Sequence, residues 1–305
     1  MTRGTPKNIA ASVRQRLRNL SRDRKEDFQL VLSRYALERL LHRIDQSPHR
    51  DRFVVKGAML FHLWTDQPYR PTRDIDFLAY GEHSVDHLEM IFREVCDQAV
   101  EEDGLIFRSD SVVGVVIKPD QEYQGVRVQL EAKLERARIP VQIDVGFGDA
   151  ITPGTQKIDY PSMLGFATPT VSTYPRETVV AEKFQAMVML DMANSRMKDF
   201  FDLWVLAENF EFDGEQLARA IQATFERRRT AIPMTYPTAL TPEFHDDNSK
   251  RTQWMAFLSR GGLTDVPPFA ELISQLRTFL MPPSEGIGSS ATFRGRWVPP
   301  GPWQT

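Results

Sequence analysis

The chain has one cysteine, Cys96, among 305 residues. That excludes an intramolecular disulfide and a zinc site built from cysteines, and leaves Cys96 to be core filler. No apolar run approaches the roughly 18 residues that a membrane span requires. The N-terminus carries Arg3 and Lys7 ahead of the Arg-dense stretch Ser12 to Arg24, with no apolar h-region of the signal-peptide kind. A cytoplasmic protein without membrane association is therefore expected. No internal repeat of a solenoid or propeller period is present. Hydrophobic residues at 41% and charged residues at 26% exclude collagen-like, wholly disordered and disulfide-scaffold classes. At roughly 150 residues per domain the length suggests two domains, or one with a substantial appendage.

The net charge of −3 is unevenly spread. Residues 1–52 hold 13 Lys/Arg and 6 Asp/Glu, a balance of +7, which leaves −10 for the remainder. Such a block is either an electrostatic surface for nucleic acid or a solvated helix face.

From Lys7 to Gln46 the apolar residues recur at helical spacing in two stripes, Ile9 to Leu20 and Phe28 to Ile44, which predicts two helices divided near Ser21 to Glu26. Phe53-Val54-Val55 reads as a strand that meets Gly57, and Ala58 to Trp64 returns to helical composition. Asp74 to Tyr80 alternates as a strand and Val85 to Val100 as a helix. Leu105 to Phe107, Val112 to Ile117, Val126 to Leu134 and Val141 to Phe147 are further strands. Beyond Pro175, five helices are expected over 177–192, 198–210, 214–228, 242–258 and 268–280. The segment 282–305 holds five prolines and four glycines and reads as a flexible tail, in which Trp297 and Trp303 are out of character. The expected organisation is α+β: N-terminal helices and a mixed-sheet domain over 1–170, a helical domain over 171–281, and the tail.

In Thr72-Arg73-Asp74-Ile75-Asp76-Phe77, side chains at i and i+2 of a strand share a face, so Asp74 and Asp76 stand together while Ile75 and Phe77 enter the core. Two crowded carboxylates need a cation between them or a shared proton, and hard oxygens at this spacing suit Mg²⁺; the alternative is a solvated strand end. Asp144, within Val141-Gln142-Ile143-Asp144-Val145, is the third-carboxylate candidate, and Asp149 in the following loop competes with it. Lys56-Gly57-Ala58 falls where a strand gives way to a helix, where backbone N–H groups can approach a phosphate. Lys183 lies on a mostly apolar helix, and Asp199 and Asp202 share a helix face by their i,i+3 spacing. Taken alone, these last three read as a surface lysine and ordinary helix caps.

In their order and spacing, Lys56-Gly57, Thr72-Arg73-Asp74-Ile75-Asp76-Phe77, Ala181-Glu182-Lys183 and Arg196-Met197-Lys198-Asp199-Phe200-Phe201-Asp202-Leu203 resemble the AbiEii-type nucleotidyltransferases, toxins of type IV toxin–antitoxin systems and relatives of the mycobacterial MenT enzymes. The resemblance runs from about residue 8 to 210. It implies a polymerase-β-like nucleotidyltransferase core followed by a helical C-terminal domain, and transfer of a nucleoside monophosphate from an NTP to an acceptor, which in some relatives is tRNA. It also implies a cognate antitoxin as partner. Asp74 and Asp76 match the family's metal-binding pair, Lys183 the lysine that helps hold the triphosphate, and Asp199 the acidic residue of the last motif. Arg196 and Asp202 match flanking positions. Ala58 stands where the family usually has a second glycine or a serine.

The expected mechanism is in-line displacement at the α-phosphorus, with one or two Mg²⁺ ions held by Asp74, Asp76 and Asp144, or with Asp144 accepting the proton of the attacking hydroxyl. Lys56, Gly57, Ala58, Thr72, Lys183 and Arg196 are the expected nucleotide contacts, and Arg14 to Arg24 with Arg227 to Arg229 the expected grips on acceptor RNA, a tRNA 3′ end. The rival readings are an Asp-x-Asp metal-dependent glycosyltransferase, which leaves Lys56-Gly57 and the Lys183 and Asp199 motifs unexplained, and a non-catalytic nucleotide- or RNA-binding protein on the same fold.

Overall fold

A computed structural model of the protein describes residues 8–64, 70–117, 125–289 and 292–304; Arg3 and Lys7 lie outside them. The chain divides into two units. One runs to Gly148 and resumes over Gln156–Thr173; the other takes Asp149–Thr155 and continues from Tyr174.

The first unit opens with α1 (Ile9–Arg24) and α2 (Phe28–Gln46). Asn8 caps α1 by accepting from the Ala11 N–H, Asp27 caps α2 by accepting from the Leu30 N–H, and Lys25 ends α1 in the left-handed region at φ 54°. α2 is buried along most of its second half, charged residues included. Buried charge is tolerated only with partners, and α2 has them. Arg39 and Arg43 both bond the Asp103 carboxylate, at 2.8 and 2.7 Å, while Glu38 accepts from the Ser162 hydroxyl and the Met163 N–H.

There follow β1 (Phe53–Lys56), a 3-10 turn over Gly57–Leu60, α3 (Phe61–Trp64), β2 (Asp74–Ala79), α4 (Val85–Asp97), β3 (Leu105–Ile117), β4 (Gly125–Leu134), β5 (Ala137–Phe147), β6 (Gln156–Asp159) and β7 (Thr170–Thr173). The seven strands form one mixed sheet in the order β3-β4-β5-β2-β1-β7-β6, with β2–β5 and β1–β7 parallel and the other pairs antiparallel. The expected strands 105–107 and 112–117 are one strand, because the Ser109-Asp110-Ser111 segment is a bulge within the β3–β4 ladder. β6 and β7 were not foreseen. They are four residues each, and β7 draws its strand character from pairing with β1. Cys96 is buried, which pushes its thiol up to about 12.

The second unit contains α5 (Arg176–Leu190), α6 (Met197–Asn209), β8 (Phe212–Asp213), α7 (Gly214–Arg227), α8 (Pro242–Asp246), α9 (Asn248–Gly261), α10 (Phe269–Gly288), β9 (Arg296–Trp297) and β10 (Trp303–Gln304). The single helix expected over 242–258 is broken at Asp247, whose side chain caps α9 by accepting from the Lys250 N–H. Phe200, Phe244, Trp254 and Phe269 form an aromatic core, with Trp254 and Phe269 stacked at 4.7 Å.

The flexible tail expected over 282–305 is corrected by the structure. α10 continues through Pro282 and Pro283, and β10-β9-β8 form a small antiparallel sheet. Trp297 is 1% exposed and donates its indole N–H to the Ala207 carbonyl. A helical proline removes the donor to the carbonyl four residues earlier, which for Pro283 is that of Phe279. Trp303 donates its indole N–H to that same carbonyl at 3.0 Å. The helix thus crosses its prolines with a side chain from the last strand supplying one missing bond. Among the described residues no helix is long and apolar enough to cross a membrane.

Candidate active site

The geometry of the acidic residues follows from strand register. Ile75 and Phe77 are buried in the core, so Asp74 and Asp76, half-buried, project from the opposite face of β2. β5 runs parallel beside it with Ile143 and Val145 buried, and Asp144 is the register partner of Asp76. Across β2 on its other side, Lys56 is also a register partner of Asp76. Asp74, Asp76, Asp144 and Lys56 therefore stand on one face of three adjacent strands. Asp149 does not share it, being ion-paired at 2.9 Å with Arg228 in the second unit.

Each member is held by a neighbour. The Thr72 hydroxyl donates to Asp74 Oδ1 at 2.6 Å, so Thr72, expected as a nucleotide contact, is engaged with a carboxylate. Gly57 adopts φ +72°, and a Cβ built on it would lie 2.0 Å from Asp76 Oδ2. The glycine is thus required by the left-handed backbone and by the aspartate packed against it. Ala58 is buried in the 3-10 turn that follows. A Cβ on Gly146, two residues beyond Asp144, would lie 3.3 Å from Lys56 Nζ, so the lysine reaches over β5 along the acidic face.

The residue that the sequence reading missed is Arg127 on β4. It is the register partner of Asp144 and grips it with both arms, Nε to Oδ1 and Nη2 to Oδ2, each at 2.8 Å. This bond raises the guanidinium pKa, and the charges of Asp144, Asp74 and Asp76 add to the effect. The alternation of β4, with Val126, Val128 and Leu130 buried and Arg127 between them, was the available signal. Among the described residues no group of three His, Cys, Asp or Glu side chains converges on one point; Asp144 is turned to Arg127.

In the second unit, Lys183 is 8% exposed, and its ammonium donates to Asp199 Oδ1 and Asp202 Oδ2, each at 2.8 Å. The i,i+3 spacing on α6 sets both aspartates toward one turn of α5. Arg196 Nε approaches the other oxygen of Asp199 to 2.6 Å. Burial alone would push the Asp199 carboxyl up; the charges of Lys183 and Arg196 outweigh it and hold it below the usual carboxylate range. Beside Lys183 on α5, Glu182 pairs with Arg228 at 3.0 Å, and Gln185 accepts from the same guanidinium. Arg228, expected as an RNA grip, is thereby part of an internal network. Of the α1 arginines, Arg14 pairs with Glu135 at 3.2 Å and Arg16 donates to the Leu164 carbonyl, whereas Arg18, Arg22 and Arg24 are exposed.

The profile of the AbiEii family, described as a nucleotidyl transferase toxin of a type IV toxin–antitoxin system, matches residues 39–275. Among solved structures, JHP933 from Helicobacter pylori is 13% identical, aligning 87% of this chain with 97% of its own at a TM-score of 0.52. A second H. pylori protein, proposed to be a nucleotidyltransferase, is 14% identical and aligns 87% of this chain with 96% of its own at a TM-score of 0.49. No curated protein matches. The family match spans the sheet face and the α5–α6 cluster alike, and it decides against the glycosyltransferase reading. The chain belongs to the AbiEii family of type IV toxin–antitoxin systems, and it is a nucleotidyltransferase.

Proposed function

We propose that the protein moves a nucleoside monophosphate from a Mg²⁺-bound NTP to a hydroxyl of an RNA acceptor, a tRNA 3′ end, in the cytoplasm, and that this activity is the toxic one countered by its cognate antitoxin. The observation that carries the reading is the register of β1, β2 and β5, which aligns Lys56, Asp76 and Asp144 with Asp74 on the same face. The donor chemistry fits the metal. Carboxylate oxygens are hard ligands, and the face already holds a cation, Arg127, hydrogen-bonded to Asp144 and attracted by Asp74 and Asp76 as well.

Asp74 and Asp76 would hold Mg²⁺, with Thr72 fixing the orientation of Asp74. The bound ion would neutralise triphosphate charge in a reaction that is mostly positioning and electrostatics. The acceptor hydroxyl oxygen bonds to the α-phosphorus, the bond to the pyrophosphate oxygen breaks, and the hydroxyl proton passes to a carboxylate, for which Asp144 is the candidate. Lys56 supplies a positive charge for the phosphates from β1. The family likeness gives Lys183 a triphosphate role; its ammonium is paired with Asp199 and Asp202 within the second unit. The exposed Arg18, Arg22 and Arg24 on α1, and Arg227 and Arg229 beside Arg228, are the candidates for RNA phosphates.

Incubation with each α-labelled NTP and total RNA tests the reading. It expects pyrophosphate release and label in RNA with at least one nucleotide. Label in protein or in a small molecule would move the acceptor, and absence of pyrophosphate with all four would remove the reaction.

A further inference from the structure

Arg127 is an unusual neighbour for a metal-binding face. A guanidinium that bonds a carboxylate through two parallel N–H groups takes both oxygens at once, and here it takes both oxygens of Asp144, the carboxylate next in register to Asp76. The pair is not sealed in the core: the Arg127 side chain is 36% exposed and that of Asp144 17%. Solvent therefore reaches it, and it can be exchanged for another partnership without breaking packing. Within the sheet the arginine has no structural need for a metal-site partner, since its strand neighbours Val126 and Val128 already anchor β4 in the core.

We infer that Arg127 is a positioning residue that serves as the resident counter-cation of the acidic face and couples metal binding to nucleotide binding. A bare divalent ion gains Asp144 only by displacing the guanidinium, which then stands beside the bound cation as a repelling charge. A metal–triphosphate complex brings phosphate oxygens that accept the same fork of N–H groups, so Arg127 passes from Asp144 to the phosphates as the metal arrives. Asp144 is then released for the role that the proposed reaction gives it. The inference rests on the metal–NTP reading above and deepens it, assigning to one arginine the coupling between the two ligands. By linkage, a factor by which nucleotide tightens metal binding is the factor by which metal tightens nucleotide binding.

The test is titration of the full chain with MnCl₂, followed by electron paramagnetic resonance of free Mn²⁺, with and without the α,β-methylene analogues of the four NTPs. Wild type, Arg127→Gln and Arg127→Lys are compared. Arg127→Gln should bind bare Mn²⁺ about fivefold tighter than wild type, the scale set by a partly exposed ion pair. The tightening of Mn²⁺ binding by the analogue should shrink by a similar factor, and Arg127→Lys, which keeps the charge and loses the fork, should fall between. A merely structural arginine would leave bare Mn²⁺ affinity and the analogue's effect unchanged on substitution, and that result overturns the inference. If Arg127→Gln does not fold, the Arg127→Lys comparison decides alone, equality with wild type being the overturning result. Absence of Mn²⁺ binding in every protein removes the metal reading and this inference with it, whereas equal binding in all three removes the inference only.

Discussion

Gly57 and Asp76 occupy one space: the aspartate Oδ2 lies 2.0 Å from where a Cβ on residue 57 would stand. The loop glycine that a sequence reading assigns to phosphate is thus first a seat for a carboxylate. Gly57→Ala should force Asp76 aside and strain a backbone at φ +72°. A loss of roughly 1–3 kcal/mol of stability is expected, with transfer falling about 100-fold because a displacement near 1 Å has that effect on a positioned group. Urea midpoints and initial rates check it; a variant that is fully active shows that Asp76 needs no such seat.

Asp76→Asn removes one of the crowded carboxylates. It should lower transfer by at least about 10²-fold, as loss of an electrostatic contact at the reacting centre does. The melting temperature in EDTA should stay level or rise, because repulsion among Asp74, Asp76 and Asp144 is relieved. Unimpaired turnover would dismiss the metal role of the pair.

The Lys183 cluster makes a separate prediction in pH. Lys183→Met leaves Asp199 and Asp202 buried without their ammonium, a change expected to cost about 3–5 kcal/mol. In the wild type the folded-state carboxyl of Asp199 is depressed, so its contribution to stability is present above the ordinary carboxylate pKa near 3.9 and is lost only as pH falls through the lower folded value. In the variant that depression is lessened, Arg196 still lowering the carboxyl, and acid unfolding should begin at higher pH. Urea melts at a series of pH values measure the difference. NTP titration of Lys183→Arg, which keeps a charge but changes its shape, reads the triphosphate role independently.

Trp303→Phe keeps an aromatic ring against Phe279 and Phe293 but deletes the donor to the Phe279 carbonyl. With Pro283 unable to supply that bond, the variant should lose about 1–3 kcal/mol through an unsatisfied carbonyl. Replacing Pro283 by alanine in the same background restores an N–H and should recover most of the loss. A thermal melt of the single and double variants is sufficient, and an unchanged single variant would show that the indole bond carries no weight.

What was legible in the sequence was what depends on neighbours along the chain. The period of two on Asp74-Ile75-Asp76-Phe77 determined which side chains face together, and the spacing of Asp199 and Asp202 determined a shared helix face. The ordered motifs from Lys56 to Leu203 carried the family. Tertiary structure alone decided the rest, because each remaining relationship joins residues that the chain brings together only by folding. Register between β2 and β5 set Asp144 beside Asp76, while Asp149 pairs with Arg228. Register between β4 and β5 set Arg127 on Asp144, which alternation within one strand could not foresee. α10 runs on through Pro282 and Pro283, local signals of a helix end, and the carbonyl that Pro283 leaves without its donor is met by an indole 20 residues beyond it, since a backbone acceptor is indifferent to the sequence distance of its donor.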